Sequence, residues 1–591
     1  MGLIKKYIIR LILVLIWAIT CFGGFARSSL TMERQSKPNV ILILVDDMGY
    51  GDLSCLGGPY LKTPAIDKLY AESVRLTDFH VDPTCAPTRA SLFTGKYSAK
   101  TGVWHTLAGR SFPDKDEVFL SEIFVENGYH TGIFGKWHLG DNYPYLPQYR
   151  GFHEVLTFRG GGVGQIDDFW HNDYFDDIYV HNGKNEFFEG YCTDVWFENA
   201  INFIERNKAA PFFCYISANA PHYPYNVPNK YTLPLREKGI DDNTSRYLGM
   251  ISNIDENIQK LSLQLEKLAL LENTIIIFMS DNGRSAVSLP KPGQPYFFNA
   301  GMRGLKGSSY DGGHRVPFFI RWPGGGIEGG KDINTLLAGF DLVPTLINLC
   351  GLRNEHKIDF DGRSFLPLLK ENRASWEERT LVVHNQRTES PVKWRNCVVM
   401  TSRYRLVNGK ELYDIKEDPG QNKDISSENT LLVEQLRMEY EKWWQDISNR
   451  FQQFNRFYLG DDLENPTSLS LVDWHVDTLF RIWDQDVVRQ RNFGNGFWAV
   501  KIVKDGIYEF TCRTFPRQED TRLDVVRVRI KVGGHDVEQS CDPGTSEVKV
   551  KIPLRAGETF LQTWFYEPGG KSYGIPFLYV ERLKELILFT K

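Results

Sequence analysis

The chain has 591 residues, of which 42% are hydrophobic and 24% charged, and a formal net charge of −5. That length exceeds one ordinary core and requires two or more domains, while the composition excludes a disordered or fibrous chain. The negative balance excludes global attraction to nucleic acid or to a sulfated polymer, so anion binding has to come from local clusters of cations.

The first residues read as an export signal. Lys5, Lys6 and Arg10 make a basic start, Leu11 to Ala18 is apolar, and Gly24-Phe25-Ala26 offers small residues for cleavage before Arg27. The apolar run is short for a bilayer span. Cys21 leaves lipoprotein anchoring as the lesser alternative, because Thr20 suits that processing poorly. Residues 1–26 are thus expected to be a signal peptide and 27–37 a linker, with a periplasmic or secreted destination.

Val40 to Val45 is a continuous β-branched and leucine run that ends in Asp46-Asp47. Such a run predicts a strand buried on both faces, as in a parallel sheet. Gly49, Gly51 and Gly57 loosen the loop that follows. A helix is expected near Ala65 to Arg75, with Leu76 to Val81 leading to Cys85-Ala86-Pro87-Thr88-Arg89-Ala90-Ser91-Leu92-Phe93-Thr94-Gly95. This stretch reads as a loop running into a helix: Pro87 suits the first turn and Gly95 ends it. Cys85 then sits at a helix N-terminus, where free N–H groups attract anions, and Arg89 follows one turn later. Taken alone, the stretch supports the plain readings of Cys85, a reactive thiol or a small buried residue, as well as it supports a functional one.

Further along, Val118 to Asn127 predicts a helix and Tyr129 to Phe134 a short strand. Gly135 then lets the backbone turn so that Lys136 and His138 project together. Asp141 to Tyr191 shows little periodicity and predicts long loops; His153, His171 and His181 within it read as structural or surface residues. Thr193 to Asn207 predicts an amphipathic helix, and Pro211 to Ser217 a buried strand that ends before His222 in a proline-stiffened turn. Tyr247 to Leu270 predicts a packing helix.

Thr274 to Ser280 is a second apolar run, and it ends in Asp281-Asn282-Gly283. Ligands collect at the carboxyl ends of strands in open α/β sheets. Two strands ending in paired oxygen donors point to one hard-cation site, calcium or magnesium. The plainer alternatives are a turn for Asp-Asn-Gly and a helix cap for Asp-Asp. Lys306 lies on a glycine-rich loop, Val316 to Trp322 predicts a strand, and Asp341 begins a helix. After Arg379 come short alternating segments and a long amphipathic helix, Leu431 to Ile447. In the last part, Phe497 to Val503 and Ile507 to Arg513 flank Lys504-Asp505-Gly506 and predict a β-hairpin within a β-sandwich. The strand aromatics there predict packing before sugar binding.

Cys-Ala-Pro-Thr-Arg with Leu92-Phe93-Thr94-Gly95 resembles the signature of the type I, formylglycine-dependent sulfatases of the alkaline phosphatase superfamily. The resemblance extends in order through Gly135-Lys136-Trp137-His138-Leu139-Gly140, Pro221-His222-Tyr223-Pro224, Ser280-Asp281-Asn282-Gly283 and Lys306 to Gly313. It continues through Asp341-Leu342-Val343-Pro344-Thr345 and Leu412-Tyr413-Asp414. Asp311 stands where that family more usually has glutamate, and His314 where an aliphatic is common; both are expected to be structural, with a substrate-facing His314 as the lesser alternative.

The resemblance implies an α/β fold with a mostly parallel central sheet sandwiched by helices. Residues 38–378 would form this catalytic domain, 379–455 a small antiparallel subdomain, and 456–591 an appended β-sandwich. It implies sulfate monoester hydrolysis, with Cys85 oxidised to 3-oxoalanine (formylglycine) by a formylglycine-generating or sulfatase-maturing enzyme. Asp46, Asp47, Cys85, Asp281 and Asn282 would hold one Ca2+. Arg89 and Lys136 would orient the nucleophile, Lys136, His222 and Lys306 would bind sulfate, and His138 would serve as a base. The expected substrate is a sulfated glycan or a small sulfate ester. A phosphate mono- or diester or phosphonate hydrolase, and a catalytically dead secreted glycan-binding protein, remain the alternatives. Of 9 cysteines, those left after removal of the signal and oxidation of Cys85 are odd in number, so at least one thiol stays unpaired.

Overall fold

The computed structural model describes residues 37–287, 298–371, 375–476, 482–491 and 493–584. The expected signal peptide with Cys21, and all but the last residue of the expected linker, lie outside the described residues.

The strand Asn39–Val45 is buried along its whole length, and its side chains alternate between two cores. Val40, Leu42 and Leu44 enter one apolar cluster, Ile41, Ile43 and Val45 the other. Thr274–Ser280 does the same, which is why both segments read as unbroken apolar runs. These two strands lie side by side in a ten-stranded sheet. Five adjacent strands form its parallel centre: Thr274–Ser280, Asn39–Val45, Phe212–Ser217, His130–Lys136 and Glu154–Phe158. Antiparallel pairing begins at Phe318–Arg321 on one side and at Phe175–His181, then Lys184–Tyr191, on the other. The helices Cys85–Thr94, Leu120–Glu126 and Leu342–Leu349 cover one face. Pro64–Ala71, Cys192–Asn207 and Asp242–Lys267 cover the other. The first of these stops at Ala71, short of the expected Arg75, because Val74–Leu76 joins the sheet.

Two expectations are corrected. Glu154–Phe158, Phe175–His181 and Lys184–Tyr191 are strands inside the stretch expected to be loops. The outermost, Lys184–Tyr191, is exposed at most positions, so it carries no apolar run to announce it. The stretch 159–174, between the first two of these strands, contains no strand or helix.

The expected hairpin is not a hairpin. Phe497–Ile502 pairs with Phe457–Leu459 and Gly557–Tyr566, whereas Gly506–Arg513 pairs with Val548–Leu554 and Phe577–Lys584. The chain turns a corner between the two sheets of a sandwich, and Tyr508 Oη fixes the corner by donating to Lys504 O at 2.6 Å. A corner and a hairpin share the same turn residues between alternating runs, so local pattern does not separate them.

Leu381–His384, Cys397–Met400, Tyr404–Val407 and Glu411–Asp414 form a small antiparallel sheet packed by the helix Thr430–Ser448. The sandwich core is continuous with the body that carries the large sheet: Leu107, Phe112, Tyr145, Ile166 and Trp170 belong to it alongside Trp498, Phe510 and Phe565. Residues Pro38–Lys591 cohere as one compact unit. None of the eight described cysteines forms a disulfide. Among the described residues no helix is long and apolar enough to cross a membrane.

Candidate active site

Adjacent parallel strands deliver their carboxyl ends to one sheet edge. Val45 pairs with Ser280, so Asp46-Asp47 and Asp281-Asn282 emerge side by side. Asp281 N–H donates to Val45 O at 3.0 Å, and Asp47 N–H donates to Asp281 Oδ1 at 3.1 Å. Asp47 holds a φ of 68°, a left-handed backbone that a non-glycine residue adopts at a cost. Tyr247 Oη supports it from the neighbouring helix by donating to Asp47 O at 3.0 Å.

Cys85 opens the helix Cys85–Thr94, with Thr84 as its extended N-cap. Pro87 lies in its first turn, and Gly95, at φ 70°, donates its N–H to Ser91 O at 3.0 Å to close it. The Cys85 side chain faces the sheet edge. Asp46, Cys85 and Asp281 each offer a ligand atom within 4.8 Å of the others, a spacing that fits one metal ion. Asp46 Oδ1 and Asn282 Oδ1 are buried without a hydrogen-bond partner. Asn282 is oriented by Nδ2, which donates to Asp47 Oδ1 at 2.8 Å. Two orphaned buried oxygens among carboxylates are the donor set of a hard cation.

Each carboxylate also has its own cation. Lys136 Nζ lies 2.7 Å from Asp46 Oδ2, Arg89 Nη2 2.9 Å from Asp281 Oδ2, and Lys306 Nζ 2.5 Å from Asp47 Oδ1. Arg89 further donates to Lys136 O, Tyr215 Oη and Ser217 Oγ, at 3.1, 3.1 and 2.5 Å. Burial raises the Asp46 and Asp281 carboxyls, the latter to about 6, with the neighbouring carboxylates adding to the effect. For Asp47 burial is outweighed by Lys306, His222 and Asn282, which hold its carboxyl well below the usual range. Burial likewise opposes the Cys85 thiolate, but Lys136 and Lys306 outweigh it and lower the thiol.

Lys136 reaches Asp46 because Gly135 sits at φ 108°, and a β-carbon there would lie 2.0 Å from Ser217 O. His138 follows at φ 61°, with Nε2 3.0 Å from Thr106 O and Nδ1 buried without a partner. Burial and then Lys136 push its imidazole well below 6.5. His222 Nδ1 lies 2.6 Å from Tyr223 O and therefore carries the proton, leaving Nε2 at 3.9 Å from Asp47 Oδ2. Burial and Lys306 lower His222 to about 4.

Cys85, His138, His222 and Lys306 line a cleft of 650 Å³. Asp46, Asp47, Asp281, Asn282, Arg89 and Lys136 lie beneath it, all buried. The cleft also takes His105, Thr106, Gln165, Arg387 and Trp483, which sequence reasoning missed. They come from four segments with no local pattern to mark them, His105 and Thr106 being adjacent; the left-handed φ of Arg387, 40°, is visible only in the structure.

His314 and Asp311 do not reach the cleft. His314 Nδ1 lies 2.9 Å from His80 Nδ1, and Arg405 bridges Asp78 and Asp311 at 3.0 and 2.9 Å. His80, Asp311 and His314 offer metal-ligand spacing too, but the Arg405 guanidinium already supplies the positive charge there. His153 bonds Thr131, and His171 and His181 pair with Glu519 and Glu186.

Comparison with known proteins matches this chain to sulfatases. The sulfatase family model matches residues 38–352, and the model for the C-terminal part of N-sulphoglucosamine sulphohydrolase matches 306–446. N-acetylgalactosamine-6-sulfatase of Canis lupus familiaris is 32% identical over 56% of this chain, and Arylsulfatase J of Mus musculus 32% identical over 59%. The matches span 66% and 58% of those relatives' own lengths. The crystal structure of Ps i-CgsB in complex with k-i-k-neocarrahexaose superposes with a TM-score of 0.64 at 29% identity, covering 71% of this chain and 95% of that one. With more than half of its length matched by the family model and an acid-and-cation cradle built around Cys85, this chain belongs to the sulfatase family.

Proposed function

We propose that the protein is a sulfuric ester hydrolase that frees inorganic sulfate from an O-sulfated glycan outside the cytoplasm. One observation carries the reading: three buried carboxylates, each neutralised by its own cation, surround Cys85, with Asp46 Oδ1 and the amide oxygen of Asn282 left unpartnered. Asp46, Asp47, Asp281, Asn282 and residue 85 would hold one Ca2+, which when bound polarises a sulfuryl oxygen. Oxidised by a maturation enzyme to 3-oxoalanine, residue 85 would supply, as the hydrate, the attacking oxygen.

The chain's own residues do the rest. The acids and their three cations cancel before any divalent ion is counted, so a bound ion leaves a positive surplus for an anionic sulfuryl group to meet. Lys306 lines the cleft and binds a sulfuryl oxygen; burial works against its charge, but Asp47 and Cys85 outweigh it and keep the proton on. His222 presents its proton-free Nε2 beside it as an acceptor, and Lys306, which keeps its proton, is the group of the two that hands a proton to the leaving alcohol. Arg89 and Lys136, fully enclosed, orient residue 85 and the metal ligands rather than the sugar. Asp281 accepts the nucleophile's proton, and His138, neutral with Nδ1 free, is the base for sulfate release. The export signal expected at 1–26 and the sugars printed in the names of the relatives support a glycan over a small aryl ester.

The test is sulfate release from sulfated saccharides by the wild type and by Cys85→Ala, with aryl sulfate and aryl phosphate rates measured in parallel. Abolished turnover with an unchanged thermal midpoint is expected, and in the wild-type peptide mass residue 85 is expected to have lost one sulfur and two hydrogens and gained one oxygen. Full activity of Cys85→Ala, or a faster rate on phosphate, overturns the reading.

A further inference from the structure

The cleft holds a cation that the catalytic cradle does not use. Arg387 is exposed, lines the cleft, and among the described residues its guanidinium makes no ion pair or side-chain hydrogen bond. Its neighbours are tied down on both sides of the fold. Thr388 O accepts from Trp104 Nε1 at 3.1 Å. Glu389 pairs with Arg110 at 2.7 Å and with His475, at the base of the sandwich, at 3.0 Å. Arg387 itself takes the left-handed φ of 40°. A strained backbone on a tethered loop, carrying a free guanidinium into a cleft, is a charge held ready for an anion.

The same cleft receives Trp483 from the C-terminal part of the chain. Ile482, next to it, is buried in the sandwich core, while the Trp483 ring remains 37% exposed. Its main chain is fixed: Trp483 O accepts from Ile166 N–H at 3.1 Å, and Asp484 bridges to Gln165. Gln165, whose side chain lies over Gly161 and Gly162, adds a planar amide to the same wall. An exposed indole beside planar hydrogen-bonding groups is the chemistry that holds a sugar ring.

We propose that Arg387 and Trp483 form a second subsite in which the sugar next to the reacting one packs on the indole and its own anionic substituent binds the guanidinium. The inference rests on the sulfated-glycan reading above and deepens it: the natural substrate carries at least two anionic groups on neighbouring sugars. A sulfate half-ester and a uronate carboxylate present the same charge to a guanidinium.

The test compares matched oligosaccharides that carry, beside the reacting sulfated sugar, a second sulfate, a uronate or a neutral sugar. Wild-type preference among the first two identifies the anion. Arg387→Met, which keeps the length and removes the charge, is expected to cut the kcat/KM ratio of doubly to singly anionic substrate about tenfold or more. Trp483→Ala is expected to raise KM about tenfold on every oligosaccharide with kcat held within about twofold. Both side chains are exposed, and melting curves check that the fold survives. An unchanged ratio in Arg387→Met together with an unchanged KM in Trp483→Ala overturns the subsite while sulfate release still stands. A wild type that frees no sulfate from any sulfated saccharide overturns the catalytic reading and the subsite with it.

Discussion

Asp281 does two jobs that are hard to separate by inspection. It accepts from Arg89 and from the Asp47 main chain, and it stands within metal-ligand reach of Asp46 and Cys85. Asp281→Ala removes a charged oxygen donor and leaves Arg89 buried without its acid. Calcium affinity measured by calorimetry is expected to fall at least about tenfold, with turnover lost in parallel. A different single residue sets an acid limit on the fold. His384 is enclosed beside Trp443, and burial holds its imidazole down at about 4. The unfolded chain takes up that proton near pH 6.5, the native state only near 4, so stability is lost as pH falls between them. His384→Leu is therefore expected to reduce the stability difference between pH 7 and pH 4.5 by about 2 kcal/mol, read from denaturant melts at the two pH values.

Among the elements, the strand His130–Lys136 shows how a backbone exception places a buried cation against an acid. Gly135 lies in register with Ser217 on the neighbouring strand, and its positive φ turns Lys136 toward Asp46. Gly135→Ala is expected to destabilise the protein by about 3 kcal/mol and to depress kcat, because relief of the contact with Ser217 O moves Lys136. Wild-type kcat in a fully folded Gly135→Ala protein would show that the lysine tolerates displacement. Elements buried on both faces, such as Asn39–Val45 and Thr274–Ser280, were legible from hydropathy because every side chain meets a core. Lys184–Tyr191 was not, since an edge strand facing solvent carries no such record. The cradle was legible for another reason: Cys85, Arg89, Asp46 and Asp281 sit in contiguous motifs tied to strand or helix ends. Arg387 and Trp483 reach the cleft from segments about a hundred residues apart, and only the folded chain brings them together.

Taken whole, the molecule does not divide where its composition changes. The sandwich shares its core with Leu107, Phe112, Tyr145, Ile166 and Trp170, and Tyr145 Oη donates to Arg456 O at 2.8 Å. A chain ending at residue 455 would expose those five apolar side chains as one patch. Residues 38–455 expressed alone are expected to aggregate or to melt well below the full chain, as scored by size-exclusion chromatography and thermal denaturation. A soluble fragment of unchanged melting temperature would show that the two cores are separable.

The enclosure of Cys85 imposes a timetable. Its side chain is 2% exposed, and every residue of the helix it opens is buried. If Cys85 is oxidised as proposed, the oxidising enzyme would have to reach the segment before it is enclosed, so conversion would compete with collapse of the nascent chain. A fraction that folded first would keep its sulfur, and the enzyme added later to the native protein would find that side chain out of reach.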